Sequence, residues 1–92
     1  MAIATQNDST VDTYTFYVYL AGVSELTEDL ENRIFEAGCD DALLASENGC
    51  VYLNFDREAE SLETAIGTAL QDIIRAGYEY DKILVRKRRS QR

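Results

Sequence analysis

The sequence contains no histidine, and its five glycines form no phosphate-binding pattern. An enzyme needs a general base, an activated nucleophile or a bound cofactor, and none of these can be recognised in the chain. The two cysteines, Cys39 and Cys50, have no histidine beside them to activate a thiolate nucleophile. We therefore predict a protein that is not an enzyme, with no catalytic residues, no metal site and no cofactor.

Long apolar runs are also missing. No stretch approaches the roughly 20 apolar residues of a membrane-spanning helix, and the N-terminus does not show the basic-then-apolar pattern of a signal peptide. Two cysteines are too few for a disulfide framework. These features predict a soluble protein of the reducing cytoplasm, which makes no contact with a membrane.

Basic side chains are scarce except at the C-terminus. The formal net charge is −8, but residues 1–85 hold four basic and all seventeen acidic side chains, a net charge of −13. Such a body repels the phosphate backbone of nucleic acids. The basic tail, Arg86, Lys87, Arg88 and Arg89 followed by Arg92, is the one segment that could attract it. We interpret this run as a solvated tail, with contact to nucleic acid or to the acidic body of a second molecule as alternatives.

The remaining pattern is that of one small globular domain, since 46% of the 92 residues are hydrophobic. We predict a flexible arm over residues 1–12, a folded domain over residues 13–87 and a basic tail over residues 88–92. Alternating apolar residues predict strands over 13–20, 41–47, 50–56 and 78–87. Helical spacing predicts one helix that is capped by Thr27 and ends at Gly38, and a second that is capped by Ser61 and ends at Gly77.

The order strand, helix, hairpin, helix, strand predicts a ferredoxin-like βαββαβ sandwich of the α+β class. Its four-stranded antiparallel sheet would have the first and third strands in the middle and both helices on one face. The Asn48-Gly49 pair predicts a tight hairpin whose paired residues have numbers that sum to 97. The other sheet face would be uncovered, and it is the first place to look for binding.

Two short stretches resemble a known kind of domain: residues 38–42, Gly-Cys-Asp-Asp-Ala, and residues 55–59, Phe-Asp-Arg-Glu-Ala. Over residues 13–85 the chain resembles the N-terminal domain of small bacterial helix-turn-helix proteins of unassigned function. In those proteins an excisionase-like or antitoxin-like helix-turn-helix follows the last strand. The resemblance implies the βαββαβ fold, but residues 1–92 contain no such DNA-reading element, so it does not imply an activity.

The acidic pair Asp40-Asp41 and the triplet Asp56-Arg57-Glu58, which we place at the approach to the second helix, are candidate sites. The hairpin register sets Asp41 opposite Asp56, and like charges that face each other need a cation or donors between them. We predict that Arg57 forms a fork with a carboxylate such as Asp41, in a structural role. The alternative is an anion or metal pocket.

The same register separates the two cysteines. Cys39 and Cys50 fall at opposite ends of the hairpin, on the order of 25 Å apart, which is too far for a disulfide. We therefore predict that both cysteines are free thiols.

Three tyrosines, Tyr17, Tyr19 and Tyr52, are predicted to cluster on the uncovered side of the two central strands. Aromatic side chains at such strands stack bases in RNA-recognition modules, but there the surroundings are basic. Because this body is acidic, we favour a protein partner or a second copy of the chain. The sequence thus predicts a non-catalytic interaction or regulatory domain. The alternatives are a small-ligand sensor linked to transcriptional control, with residues 21–24 as a contact loop, and an acidic decoy that mimics nucleic acid.

Overall fold

The computed structural model describes residues 11–86, which form four strands and two helices in the predicted order. The elements are β1 (Asp12–Ala21), α1 (Glu28–Glu36), β2 (Ala42–Glu47), β3 (Cys50–Ala59), α2 (Leu62–Arg75) and β4 (Glu79–Val85). The sheet is antiparallel and its strand order is β2-β3-β1-β4. The α+β fold and the central positions of β1 and β3 are therefore confirmed.

The core lies between the helices and one face of the sheet. Alternate residues of β1, namely Phe16, Val18 and Leu20, are buried on this face, as are their neighbours Leu53 and Phe55 on β3. The rings of Phe16 and Phe55 stack across the two strands with centroids 5.2 Å apart. Burial of each such side chain stabilises the fold by about 1.5–3 kcal/mol, so this face fixes which way every strand residue points.

The helices pack on this core through one apolar side each, and both have the predicted termini. Thr27 and Ser61 are the N-caps, and each side chain accepts a hydrogen bond from a backbone N–H of the first turn. At the C-termini, Gly38 (φ 117°) and Gly77 (φ 97°) adopt backbone conformations that side chains disfavour. Within residues 11–86, neither helix is long and apolar enough to cross a bilayer.

The β2–β3 hairpin has the register predicted from its turn. Asn48 (φ 54°) and Gly49 (φ 77°) both have positive φ, as a two-residue turn of this type requires. Ala42 pairs with Phe55 and Glu47 with Cys50, so the sum of 97 is confirmed. Because side chains alternate between faces, this register also determines which residues of β2 and β3 lie on the uncovered face.

One boundary prediction was wrong. We expected the third strand to end at Asp56 and residues 56–58 to lead into the second helix, but β3 continues to Ala59. The strand persists because Arg57 points to the helix-facing side and is buried there with its charge paired. β1 begins at Asp12, one residue before the predicted start, and Arg86 follows β4 as an exposed residue. Residues 1–10 of the predicted arm and Lys87, Arg88 and Arg89 of the tail lie outside the described residues.

Candidate functional site

The sheet face opposite the helices, which we call the open face, carries the three tyrosines. Tyr17 and Tyr19 are on β1 and Tyr52 is on β3, directly opposite Tyr19. The rings of Tyr19 and Tyr52 stack with centroids 5.1 Å apart, and those of Tyr17 and Tyr52 are 5.8 Å apart. Lys82 of β4 places its Nζ 4.8 Å from the Tyr19 ring centroid, in a cation–π contact. The structure thus brings together the three side chains that the sequence singled out.

Two leucines extend this cluster to both edges of the sheet. Leu43 on β2 and Leu84 on β4 lie in the same cross-strand row as Tyr17, and they are 72% and 48% exposed. We call these two leucines and the three tyrosines the aromatic patch. It forms an apolar band across all four strands, and no helix of residues 11–86 covers it. The three tyrosines are half-buried and the two leucines are exposed. A contiguous apolar patch on an uncovered sheet face is typical of an association site.

Asn54 lies in the middle of the patch, between Leu43 and Tyr17 in the row. Its Oδ1 atom is buried and has no hydrogen-bond partner among residues 11–86. A buried acceptor without a donor costs about 1–3 kcal/mol, so such atoms are rare in folded proteins. The patch therefore has one buried polar atom beneath its centre that the described residues leave unpaired.

Charged residues border the patch at both ends of the strands. At one end, Asp56 accepts a hydrogen bond of 2.7 Å from the Thr15 hydroxyl, and Arg86 donates its backbone N–H to the Thr15 carbonyl. At the other end, Glu47 of β2 and Glu79 of β4 flank the sheet, and Lys82 of β4 adds a positive charge. The patch thus has an apolar centre and a rim that carries both signs of charge, as protein interfaces do.

The second candidate site is centred on Arg57, whose guanidinium lies under α2 on the helix-facing side. Asp41 accepts a bidentate pair of hydrogen bonds, 2.7 Å from Nε and 2.9 Å from Nη2, which confirms the predicted fork. Asp72 of α2 adds a second carboxylate 3.2 Å from Nη1. These hydrogen bonds to Asp41 are the main reason that the pKa of Arg57 is raised above the ordinary value of an arginine.

The guanidinium of Arg57 has no donor left for a ligand. Its remaining N–H groups reach the Thr68 hydroxyl and the Gly38 carbonyl, both at 3.1 Å, so five acceptors meet five donors. The cleft beside it is lined mainly by carboxylates. Within the described residues no three side chains of the ligating types are placed to hold a metal ion. This geometry supports the structural role of Arg57 over an anion or metal pocket.

Both cysteines are free thiols, as predicted. Cys39 is fully buried beside the Arg57 cluster, where burial and the nearby carboxylate of Asp72 raise its pKa to about 12. Its thiol is therefore neutral and unreactive near pH 7. Cys50 is exposed, and it lies on the open face at the start of β3.

Sequence reasoning missed Asp72, Leu43, Leu84 and Asn54. Asp72 lies on the mostly apolar side of α2. A single acidic residue on such a side indicates a buried cation as its partner, so the sequence could have predicted this contact. The predicted hairpin register pairs Leu43 with Asn54, since 43 and 54 also sum to 97, so it could have placed both residues on the open face. Leu84 could be placed only by the pairing of β1 with β4, which no local turn determines.

Comparison of the chain with models of protein families, with curated proteins and with solved structures finds no significant match. The resemblance to the N-terminal domain of helix-turn-helix proteins therefore stays a prediction.

Proposed function

We propose that this chain is a non-catalytic interaction domain whose open face is a docking surface for protein. The observation that carries the proposal is the aromatic patch, an apolar band of three clustered tyrosines and two exposed leucines on the uncovered side of the sheet. Tyrosine is enriched in protein interfaces because it buries much area with little loss of conformational freedom.

The two alternative functions have less support. A small-ligand sensor needs an enclosed, mainly apolar cavity, whereas the cleft at Arg57 is open and lined by Asp41, Asp56, Glu58 and Asp72. A nucleic-acid mimic presents acidic side chains on its binding surface, but the centre of the open face is aromatic and is bordered by Lys82 and Arg86. An interaction domain accounts for the patch without a further assumption.

Footprinting of side chains by hydroxyl radicals tests the proposal without knowledge of the partner. The protein is labelled inside the cells that produce it and, separately, as a dilute purified sample. We expect Tyr17, Tyr19 and Tyr52 to react several-fold more slowly in the cell, because a partner covers them. Phe35 and Tyr80, which are exposed outside the patch, serve as internal controls and should react equally in both samples. Equal reactivity of the three tyrosines in the two samples would show that the open face is not a docking surface.

A further inference from the structure

The open face has a feature that bears on the identity of its partner: two pairs of similar side chains, Leu43 with Leu84 and Tyr52 with Tyr19, lie on opposite sides of the midline between β3 and β1. The two central rows, read from β2 to β4, are Leu43–Asn54–Tyr17–Leu84 and Ala45–Tyr52–Tyr19–Lys82. Consider a two-fold axis that runs parallel to the strands, midway between β3 and β1. It brings β2 of one copy over β4 of the other, and β3 over β1. A second copy related by this axis would lay each row on the same row of the first, in reverse order.

We propose that the partner of the open face is a second copy of this chain, related by a two-fold axis parallel to the strands. This inference rests on the proposed function and names the occupant of its docking surface. The two sheets would pack face to face, about 10 Å apart, as in aligned β-sandwiches.

The apolar and aromatic side chains match across this axis. Leu84 of one copy faces Leu43 of the other, so apolar side chains meet at both edges of the first row. Tyr19 faces Tyr52 at the centre of the second row, so the tyrosine rings of the two copies meet there. Tyr17 faces Asn54 and would cover it.

The charges at the rim also match. Lys82 on β4 comes to the β2 side of the second copy, where Glu47 is two residues from the facing Ala45. At the other end Arg86 comes to the side that holds Asp56, whose carboxylate is exposed and accepts one hydrogen bond from Thr15. Glu79 faces Glu47 across the axis, and Lys82 is the cation that offsets this repulsion.

The other possible two-fold axis, in the interface plane but perpendicular to the strands, fits less well. It would set Lys82 over Leu84 and Leu43 over Ala45 of the second copy, so the two exposed leucines would not face each other. Each strand would face its own copy, which keeps Lys82 on β4 away from Glu47 on β2. The contact between the leucines and the pairing of Lys82 with Glu47 therefore favour the axis parallel to the strands.

The size of the face sets the expected strength. Four strands spaced about 4.8 Å apart, over roughly eight residues of about 3.3 Å each, offer on the order of 500 Å² per copy. The total of about 1,000 Å² is at the lower end for a specific interface, so we expect a reversible dimer with a dissociation constant in the micromolar range.

Sedimentation of the full chain from about 10 µM to about 300 µM measures this association. We expect a monomer–dimer equilibrium for the natural sequence, and a dissociation constant raised by more than about 10-fold by Tyr19→Asp with Tyr52→Asp. Leu43→Asp is a second variant that should weaken the dimer, and because Leu43 is 72% exposed it should fold normally. Ile74→Asp is the matched control, since Ile74 is 59% exposed on α2, away from the open face, and should dimerise like the natural sequence.

Cys50 reports the direction of the axis without any mutation. It lies on β3, about half a strand spacing from the axis, so the two Cys50 Cα atoms would be on the order of 11 Å apart in the proposed dimer and about twice as far in the perpendicular arrangement. A short bifunctional maleimide should therefore link the two copies through Cys50, while buried Cys39 stays unmodified. Cys50→Ser should abolish the cross-link. Separately, Lys82→Glu should weaken the dimer several-fold, and Glu47→Lys in the same chain should restore it.

The outcomes separate the two proposals. A chain that stays monomeric to about 300 µM while its tyrosines are protected in the cell would overturn the second copy as partner and leave the docking surface standing. A dimer that is cross-linked through Cys50 and is lost in the tyrosine variant supports both. A dimer that the tyrosine and leucine variants leave intact, with the tyrosines unprotected in the cell, would contradict both. A dimer that depends on the patch but is not cross-linked through Cys50 would refute the parallel axis.

Discussion

Arg57 carries a full positive charge into the side of the sheet that packs against the helices, and the surrounding residues match every one of its donors. Asp41 and Asp72 supply the opposing charge, while Thr68 and the Gly38 carbonyl complete the set. The guanidinium carbon also lies 5.1 Å from the centroid of the Phe55 ring. One side chain thus ties β3 to α2 and to the chain between α1 and β2.

Replacement of Arg57 by alanine should destabilise the protein by roughly 3 kcal/mol, because it leaves Asp41 without its cation and Asp72 with only the exposed Arg75. Urea denaturation followed by circular dichroism measures the change in the free energy of unfolding. Arg33→Ala is the control: the Arg33–Asp29 ion pair is largely exposed, so its loss should cost less than about 1 kcal/mol. Equal costs for the two variants would contradict the structural role of Arg57.

Cys39 should make stability depend on pH in the alkaline range. Its pKa is about 12 in the folded protein and 9.0 as an ordinary cysteine, so between these values the unfolded chain loses a proton that the folded chain keeps. The free energy of unfolding should therefore fall by up to about 1.4 kcal/mol per pH unit above pH 9, and this contribution should be fully present below pH 9. Urea midpoints of the natural sequence and of Cys39→Ala, compared from pH 8 upward, measure it. Parallel pH profiles of the two proteins would be inconsistent with the raised pKa.

At the scale of elements, the predictable features were those that neighbouring residues determine. The caps Thr27 and Ser61 and the Asn48-Gly49 turn act within a few residues, and the structure has all three as predicted. The end of β3 could not be predicted in the same way. A strand through Arg57 is stable only because Asp41 and Asp72, which lie 16 and 15 residues away in the chain, converge on its guanidinium.

The turn after α1 shows the same dependence on distant residues, and it gives a third prediction. Gly38 has φ of 117°, and a Cβ atom there would lie 2.9 Å from Asp72 Oδ2, so Gly38→Ala should destabilise the protein by more than about 1 kcal/mol. Gly67→Ala, inside α2, should instead stabilise it by about 0.5–1 kcal/mol, since nothing lies within 4 Å of the added methyl group. Thermal melts of the two variants measure the difference. Destabilisation of the same size in both would argue against a specific constraint at Gly38.

At the scale of the whole molecule, the fold and the grouping of the tyrosines followed from the alternation of residues along each strand. The full patch did not follow from this alternation. Leu84 belongs to the patch because β1 pairs with β4, and α1, β2, β3 and α2 separate these two strands in the chain. The buried, unpaired Oδ1 of Asn54 could not be predicted either, since an unpaired acceptor is visible only when every possible donor among the described residues has been placed.

A dimer that forms through the open face makes thermal stability depend on concentration, because association stabilises the folded state by mass action. The melting temperature of the natural sequence should rise when the protein is concentrated from about 1 µM to about 300 µM, which scanning fluorimetry measures. The variant with Tyr19→Asp and Tyr52→Asp should melt at the same temperature throughout this range. A concentration dependence that the variant retains would place the contact elsewhere on the molecule.

The register of β1 with β4 shifts between Tyr19 and Leu20, where the pairing passes over Asp81 of β4. β4 is an edge strand, and an irregularity with an acidic side chain at that point keeps a further strand from pairing along it. β2, at the opposite edge, is only six residues long. Assembly through the open face would then be finite: each chain has one adhesive surface and two poor edges, so growth stops at a closed pair and does not continue into a fibre.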